Sequence, residues 1–337
     1  MIEARDRLYQ MISGYRLTQL VRVAALLGVC DALAGGQREF GAVAGELGAN
    51  PDVLRRLMRA LAAAGVLEEV EDGSFSNTQV GDLLRKDVPA SMREVALGLT
   101  DDPWWLAWAE LRRGVLDGSI PFELAHGRSF WEMVKTDSGV ADRFNDFMAS
   151  QTGAFVPQLL GAFDFSACKR IVDVGGGNGG LVAAILKAHR SAKAILFDLE
   201  AGLDGADEYL QARGVRDRCE LVAGSFFESV PGGADVYLLR LILHDWQDDR
   251  AAQILASCRR AMQPGAQLLV IDQLLPVRVI EGPREFHALL TDMHMYVLFG
   301  ARERTEDEMR SMVEGAGFKV DRIIATSPTS TVVATAI

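Results

Sequence analysis

The segment IVDVGGGNGGL, residues 171–181, decides the fold, because it runs from an apolar strand through clustered glycines into an apolar helix. Gly175, Gly177 and Gly180 satisfy the G-x-G-x-x-G pattern of dinucleotide-binding loops. Gly175, Gly177 and Gly179 equally satisfy the looser G-x-G-x-G pattern of loops that hold S-adenosylmethionine. A tight turn alone needs fewer glycines. The loop therefore predicts a bound cofactor and leaves its identity open.

Strand-like and helix-like segments alternate from about residue 168 to the end of the chain. Near-continuous apolar strands separated by helices are typical of a parallel sheet that is covered on both faces. Ligands of such sheets bind at the carboxyl ends of the strands, where the glycine loop is expected. The fold class is therefore α/β, with a Rossmann-like C-terminal domain. The predicted strands are RIVDV, KAILFD, CELVAG, DVYLLR and AQLLVID, followed by FKVDRII and STVVATA as an antiparallel edge hairpin.

Residues 1–95 are predicted to form a mainly helical, winged-helix-like domain. Apolar residues at helical spacing indicate a first helix that Gly35 and Gly36 are expected to end. A short helix, a turn at residues 50–51, a longer helix and a hairpin around residues 71–73 follow. Such a unit serves DNA binding or dimerisation. Acidic residues around its second helix favour dimerisation, since a DNA-reading helix is basic.

The bulk composition limits the function classes. A chain of 337 residues is expected to form two domains. Its net charge of −11 argues against nucleic-acid and anionic-membrane partners. No signal peptide or membrane span is recognisable, so a cytoplasmic location is expected. Four widely separated cysteines are expected to be reduced and buried rather than paired or bound to zinc: Cys30, Cys168, Cys219 and Cys258.

The segment between the two domains, residues 96–165, is helical in pattern and rich in large side chains. Core packing accounts for most of them. Aromatic and methionine-lined walls also suit flat apolar ligands, so some of these side chains are expected to face a substrate. The predicted organisation is thus a dimerisation domain at 1–95, a helical linker that contributes to a pocket at 96–165, and a cofactor-binding catalytic domain at 166–337.

Asp198 ends the second strand and suits ribose hydroxyls, but both cofactors carry a ribose, so this residue does not discriminate between them. Three other features do, and the first is that the glycine loop follows a helical domain and leaves the parallel sheet as the final domain of the chain. Asp173 lies just before the glycine loop, where a carboxylate repels a pyrophosphate and attracts a cationic amine. His244 follows the fourth strand, where the reactive centre of a methyl donor is expected, and no Tyr-x-x-x-Lys of a dehydrogenase is present. These residues favour S-adenosylmethionine over a nicotinamide cofactor.

The chain resembles the caffeic-acid-type small-molecule O-methyltransferases, a family that includes bacterial enzymes of secondary metabolism. The resemblance covers nearly the whole length. The motifs that carry it are VDVGGGNG, FDLE, GSFF, LLRLILHDWQDD, PGAQLLVID and RERT. It implies a homodimer, S-adenosylmethionine as the cofactor, and a hydroxylated aromatic or polyene acceptor.

The resemblance also implies a donor site. Ser225 departs from the family, where an aspartate that contacts adenine is usual, and Arg240 stands where a lysine is common. Phe226 is expected to pack on the adenine face. The residues implied in cofactor binding are Asp173, Gly175, Gly177, Asp198, Leu199, Ser225, Phe226 and Arg240.

For catalysis, the resemblance implies that His244 is a general base that deprotonates the acceptor hydroxyl. Histidine suits this task, since its unperturbed pKa is about 6.5. The family's two orienting glutamates map onto Asp272, which is one methylene shorter, and Glu303, which matches. Asp245 is expected to cap or orient the following helix. No metal is implied.

The acceptor pocket is expected to be walled by the helical segment and by the insertion at 275–304. An alternative keeps the fold and the donor site but redirects the chemistry to N-methylation, decarboxylation or a non-catalytic role. The departures at Ser225 and Asp272 keep that alternative open. The residues implied at the acceptor are Trp131, Phe144, Met148, Gln151, Asp292 and Met295.

Overall fold

The structure is a computed structural model that describes residues 2–89, 91–279, 282–326 and 328–337. By internal contacts the chain divides into two units, Met1–Asp102 and Pro103–Ile337. Residues 103–165, which the sequence analysis assigned to a linker, cluster with the second unit. Among the described helices, none has the length and apolarity to cross a bilayer.

The first unit is helical, with one small antiparallel sheet in the order β1-β3-β2. The helix α4 begins where the Asn50 side chain accepts a hydrogen bond from the Val53 backbone, with Pro51 in the first turn. The helices and the hairpin follow one another in the predicted order. The elements are α1 (Ile2–Leu27), α2 (Val29–Ala32), β1 (Arg38–Glu39), α3 (Phe40–Leu47), α4 (Pro51–Ala63), β2 (Leu67–Glu71), β3 (Ser74–Asn77), α5 (Gln79–Asp82) and α6 (Arg93–Gly98).

The first helix does not continue to Gly35 and Gly36, as its apolar spacing predicts. Gly28 adopts a left-handed backbone conformation, with φ +73°, and ends α1 at Leu27. The next turn, α2, is a separate short helix whose side chains are largely buried. A single glycine therefore ends the helix because it can adopt a φ that other residues disfavour.

The second unit begins with helices and continues as the alternating α/β domain. The helix α10 begins with a capping box between Ser129 and Glu132. The helices before the sheet are α7 (Asp102–Ala109), α8 (Leu111–Asp117), α9 (Pro121–His126), α10 (Phe130–Thr136) and α11 (Ser138–Ala162).

Seven strands form the main sheet in the order β11-β12-β8-β7-β4-β5-β6. The five strands predicted first are parallel, and β12 joins them antiparallel, between β8 and the edge strand β11. The order confirms the predicted α/β fold with an antiparallel edge hairpin. The elements are β4 (Arg170–Val174), α12 (Gly180–Ala188), β5 (Lys193–Asp198), α13 (Ala206–Ala212), β6 (Cys219–Ala223), β7 (Val236–Arg240), α14 (Asp248–Ala261), β8 (Gln267–Asp272), β9 (Leu274–Leu275), α15 (Pro283–Phe299), β10 (Arg304–Thr305), α16 (Glu306–Gly315), β11 (Phe318–Ala325) and β12 (Ser330–Ala336).

Both faces of this sheet are buried. Successive strand residues point to opposite faces, so Val172 packs in one core cluster and Ile171 in the other. One cluster includes α14 and α16, and the other includes α12 and the end of α11. Charged residues lie at or near the carboxyl ends of four parallel strands, where the candidate site is found: Asp173 in β4, Asp198 in β5, Arg240 in β7 and Asp272 in β8.

Candidate active site

The glycine loop turns sharply between β4 and α12. Gly175, Gly177 and Gly179 all have positive φ angles, from +56° to +85°. A Cβ on Gly175 would lie 2.5 Å from Ile242 Cδ1, so no side chain fits there without displacement. Gly180, in contrast, has an ordinary backbone and only van der Waals neighbours at 3.5 Å. Gly180, which completes the dinucleotide pattern, is therefore the one glycine of this set that the local geometry does not require.

Asp198, at the end of β5, holds the loop through its own carboxylate. Its two oxygens accept hydrogen bonds from the backbone of Gly177, at 2.8 Å, and of Leu199, at 2.6 Å. Burial raises the pKa of Asp198, and these two hydrogen bonds oppose the rise. The side chain thus connects the glycine loop to the neighbouring strand.

Asp173 and Arg240 are side chains of opposite charge beside the loop, near enough for each to affect the pKa of the other. Asp173 is 2% exposed, and its Oδ2 accepts no hydrogen bond from the described part of the chain. Burial raises the pKa of Asp173 to about 7, although the charge of Arg240 opposes this. Arg240 donates to Thr152 Oγ1 at 3.2 Å and leaves its Nε unpartnered. Buried polar atoms without partners are costly, which points to a ligand that supplies them.

These residues border one cavity of about 320 Å³ at the carboxyl ends of the strands. All eight residues predicted to bind the cofactor line it, as do three of those predicted at the acceptor. Leu241, the one described non-glycine residue with positive φ (+54°), also lies on its wall. Strained backbone of this kind is typical of functional sites. The predicted residues that line the cavity are Asp173, Gly175, Gly177, Asp198, Leu199, Ser225, Phe226, Arg240, Trp131, Phe144 and Met148.

His244 lies in a short 3-10 turn, Leu243–Asp245, that follows β7. Its Nδ1 lies 2.7 Å from Glu303 Oε1, and Glu303 is 1% exposed. Burial disfavours the imidazolium, but the charges of Glu303 and Asp245 outweigh it and raise the pKa of His244 to about 10. A carboxylate on Nδ1 fixes the ring orientation and leaves Nε2 for proton exchange.

Asp245 and Asp272 complete a group of buried carboxylates around this histidine. Asp245 Oδ1 lies 3.4 Å from His244 Nε2, whereas neither oxygen of Asp272 has a hydrogen-bond partner within the described residues. Burial raises the pKa of Asp245 to about 7 and that of Asp272 to about 6, with the charge of His244 opposing both. The expectation that Asp245 caps the next helix is wrong, because α14 begins after Gln247.

Three residues predicted at the acceptor do not border the cavity. Asp292 accepts a hydrogen bond from the Glu303 backbone at 2.9 Å, so it positions the orienting glutamate instead. Met295 is buried in α15, and Gln151 lies on α11 beside the cavity residue Thr152. Helical spacing alone does not distinguish the face of α15 that turns toward a ligand.

Trp246 and Thr152 are among the cavity residues that sequence reasoning missed. Trp246 stacks on Trp131 with ring centroids 6.0 Å apart and planes inclined by 11°. Thr152 holds the Arg240 guanidinium. Trp246 lies two residues after the predicted base in LLRLILHDWQDD, a signal that could have identified it. Thr152 has no comparable signal, since its partner lies 88 residues away.

Comparison with known proteins decides the family. Residues 108–319 match the O-methyltransferase domain, and residues 9–87 match the O-methyltransferase dimerisation domain. The chain belongs to the O-methyltransferase family. This O-methyltransferase is 38% identical over 320 residues to a phenazine O-methyltransferase of Lysobacter antibioticus, covering 95% of this chain and 92% of the relative. The crystal structure of LaPhzM matches it with a TM-score of 0.93 at 38% identity, covering 99% of each chain.

A second solved relative carries the cofactor. An O-methyltransferase of neocarzinostatin biosynthesis, solved with S-adenosylmethionine and 2-hydroxy-5-methyl naphthoic acid, is 31% identical and covers 95% of this chain and 96% of that one, with a TM-score of 0.81. S-adenosylmethionine is thus the methyl donor of this methyltransferase family. Some relatives have other activities, and an N,N-dimethyltransferase of Streptomyces davaonensis is among them. Aclacinomycin 10-hydroxylase of Streptomyces purpurascens is 34% identical over 319 residues, 93% of this chain and 84% of the relative.

The residues of the methyltransferase cavity fit this donor. The unpartnered Oδ2 of Asp173 is a partner for an α-ammonium group, and the unpartnered Nε of Arg240 is one for a carboxylate. The glycine loop allows close approach of a ligand to the backbone. For metals, the described residues contain no group of three or more His, Cys, Asp or Glu arranged to hold an ion.

Proposed function

We propose that this chain transfers the methyl group of S-adenosylmethionine to a hydroxyl group of an aromatic or polyene small molecule in secondary metabolism. The observation that carries the proposal is the His244–Glu303 pair, buried beside a cavity that also holds the unpartnered Asp173 carboxylate. The Asp173 carboxylate suits the amino-acid end of the donor. The His244–Glu303 pair suits deprotonation of an acceptor.

Donor recognition in this proposal divides among the cavity residues. Asp173 holds the ammonium group and Arg240 the carboxylate, while Asp198 and Leu199 lie where ribose hydroxyls are expected. Ser225 is a neutral partner for adenine, and its Oγ already accepts a hydrogen bond from the Phe227 backbone at 3.3 Å. Phe226 supplies an apolar face for the adenine ring. When bound, S-adenosylmethionine supplies a methyl group on a positively charged sulfur that is already activated for in-line displacement.

Deprotonation of the acceptor is the step that the protein itself performs. A phenolic hydroxyl has a pKa of about 10 and is mostly protonated at neutral pH. In its neutral form, His244 receives this proton at Nε2, because Nδ1 faces the Glu303 carboxylate. Glu303 stabilises the resulting imidazolium through Nδ1. Such general base catalysis contributes about 10²–10⁴-fold.

The acceptor in this proposal lies among the aromatic side chains at the end of the cavity away from Asp198. Trp131 is stacked between Trp246 and Phe299, with interplanar angles of 11° and 10°. Phe144 meets Trp131 edge to face at 5.8 Å. Aromatic side chains that line a cavity favour a flat apolar acceptor.

The N-terminal unit supports a homodimer in this proposal. Helix α1 exposes several large apolar side chains, and residues 9–87 match a dimerisation domain. A monomer in water would leave this surface unpaired. The exposed residues of α1 include Leu8, Tyr9, Met11, Ile12 and Tyr15.

Calorimetric titration with S-adenosylmethionine and NAD, followed by a screen of hydroxynaphthoates, hydroxyphenazines and hydroxyanthraquinones, tests the function. We expect binding of the first cofactor alone, and methylation of at least one hydroxyl acceptor. His244→Gln is expected to keep donor affinity and lose about 100-fold or more in kcat. Binding of NAD instead, or full turnover by His244→Gln, contradicts the proposal.

The proposed reaction is independent of a metal ion, because proton removal is assigned to His244. Activity after EDTA treatment is therefore expected to equal that of untreated enzyme. Loss of activity that added Mg²⁺ restores contradicts this part of the proposal. If the acceptor screen detects methyl transfer to nitrogen atoms and none to hydroxyl groups, the result favours the alternative of redirected chemistry.

A further inference from the structure

The histidine and the aspartate of the 3-10 turn at Leu243–Asp245 relate differently to the cavity. Asp245 borders it, whereas His244 is not among the described residues that do. Both are mostly buried, at 7% for His244 and 9% for Asp245. A molecule in the cavity therefore contacts Asp245 before it reaches His244.

Asp245 lies between the cavity and Nε2 of His244. Its Oδ1 is 3.4 Å from Nε2, and Nδ1 of the same ring is occupied by Glu303. Within the described residues, this ion pair is the sole polar contact of the Asp245 carboxylate. The second oxygen of Asp245 is therefore free to meet a ligand, and the first remains with the histidine.

The charged surroundings of the pair come from three elements. Asp272 lies at the end of β8, Glu303 precedes β10, and His294 on α15 lies near enough for its pKa to be lowered, chiefly by burial and then by the charge of His244. The described charged neighbours of the pair are thus two carboxylates, one histidine and the buried guanidinium of Arg304, which donates to the backbone carbonyls of Leu243 and Trp246 on either side of the pair. Burial raises the pKa of Asp245 to about 7, against the charge of His244, and the pKa of His244 is raised to about 10, so the pair of residues keeps one proton above pH 7.

We propose that Asp245 relays the proton from the acceptor hydroxyl to His244. This inference rests on the proposed function and assigns the residue that touches the acceptor. The O–H bond of the acceptor breaks and a new O–H bond forms on the cavity-side oxygen of Asp245. In the same step, the proton on Oδ1 moves to Nε2 of His244. The acceptor is left as an oxyanion, and the imidazolium faces Glu303.

The relay changes the pH at which the enzyme becomes active. In the starting state of the relay, Asp245 and His244 together hold one proton. At low pH the pair holds two protons, so it must lose one of them before the enzyme is active. The apparent pKa values belong to the pair. The acid limb of kcat/KM is therefore expected near pH 7. If His244 took the proton from the acceptor directly, without Asp245, its ring would have to be neutral. The acid limb of kcat/KM would then continue toward pH 10.

Nuclear magnetic resonance of the complete protein tests the pair without any acceptor. With ¹³C-labelled aspartate and ¹⁵N-labelled histidine, the Asp245 carboxyl signal is expected to titrate near pH 7. The Nε2 signal of His244 is expected to change at the same pH. In the Asp245→Asn variant, this change of the Nε2 signal is expected to be absent. An Asp245 that titrates near pH 4, the ordinary value for aspartate, overturns the proposal, as does an Nε2 signal unchanged by Asp245→Asn.

Kinetics with the phenolic acceptor that turns over fastest in the screen test the transfer itself. Asp245→Asn is expected to lower kcat about 100-fold, to lose the limb near pH 7 and to keep the affinity for S-adenosylhomocysteine. Asp245→Glu is expected to recover part of the rate. Asp249→Asn, the same change at an exposed residue of α14, is the matched control and is expected to behave as the wild type.

Two outcomes separate this inference from the proposed function. If Asp245→Asn keeps kcat within threefold of the wild type while His244→Gln is inactive, the relay is wrong and direct proton transfer to His244 remains. If no hydroxyl acceptor turns over, or His244→Gln is fully active, the proposed function fails. The resonance titration then still decides whether Asp245 and His244 share a proton.

Discussion

Nδ1 of His244 and Oε1 of Glu303 lie 2.7 Å apart, although 59 residues separate them in the chain. Glu303 is almost fully buried, and its backbone N–H donates to Asp292. The next residue, Arg304, is 1% exposed and donates to the Leu243 carbonyl, directly before the histidine. The two segments are therefore joined on both sides of the pair, which holds the imidazole in one orientation.

Substitutions of Glu303 and Asp272, two acids near His244, should distinguish the effect of ring orientation from the effect of nearby negative charge. Glu303→Gln removes the negative partner of Nδ1, so we expect kcat to fall about 100-fold. It also lowers the pKa of His244, and the acid limb of kcat/KM is expected to move to lower pH. Asp272→Asn removes a carboxylate that makes no described hydrogen bond, so its loss in kcat is expected to be about tenfold or less.

Thermal stability provides a second measurement on the Asp272→Asn variant. The folded-state pKa of Asp272 is raised to about 6, so its ionisation opposes folding as the pH rises through this range. Asp272→Asn is therefore expected to raise Tm at pH 8, with a smaller gain at pH 5. Equal effects of the two substitutions on kcat, or a lower Tm for Asp272→Asn at pH 8, contradict this account.

The order of the elements could be predicted from the sequence, because strand and helix patterns differ in period and the strands are buried on both faces. The histidine and its glutamate could be placed by resemblance, since each lies in a short distinctive motif. The positions of these motifs at strand ends determine which side chains share the cavity. For this reason, every residue predicted to bind the donor lies on its wall.

Other parts of the site depend on tertiary contacts that no local pattern records. Gly28 ends the first helix, although Gly35 and Gly36 are equally strong signals in the sequence. Asp245 faces the histidine because the 3-10 turn ends before α14 begins. Arg240 meets Thr152 across 88 residues. Which helical face meets a ligand is decided by packing against other elements, and spacing along the helix does not encode it.

The glycine loop offers a matched pair of substitutions. Gly175→Ala places a Cβ 2.5 Å from Ile242 at φ +73°, so we expect a lower Tm and a loss of donor binding of at least tenfold. Gly180→Ala meets only ordinary contacts in the first turn of α12, so we expect unchanged donor affinity and a gain of about 0.5 kcal/mol in the free energy of unfolding. Denaturation and calorimetry measure both. An equal loss of affinity in both variants contradicts the assignment of Gly180 as dispensable.

The exposed apolar face of α1 predicts the state of assembly. Leu8→Glu combined with Ile12→Glu places two charges on that face, and we expect a monomer in light scattering where the wild type is a dimer. Val115→Glu, at an exposed apolar residue of α8, is the control and should remain dimeric. A double variant that stays dimeric shows that α1 does not form the interface.

Asp173 predicts how the enzyme distinguishes the two ends of its donor. Its buried Oδ2 has no described partner, so a ligand ammonium would form the one charge-assisted contact available to it. Asp173→Asn keeps the size of the side chain and removes its charge. We expect the affinity for S-adenosylhomocysteine to fall about 100-fold, while the affinity for 5′-methylthioadenosine, which lacks the amino-acid end, changes less than threefold. Calorimetry with the two compounds measures both. If they weaken equally, Asp173 supports the shape of the loop and does not bind the ammonium group.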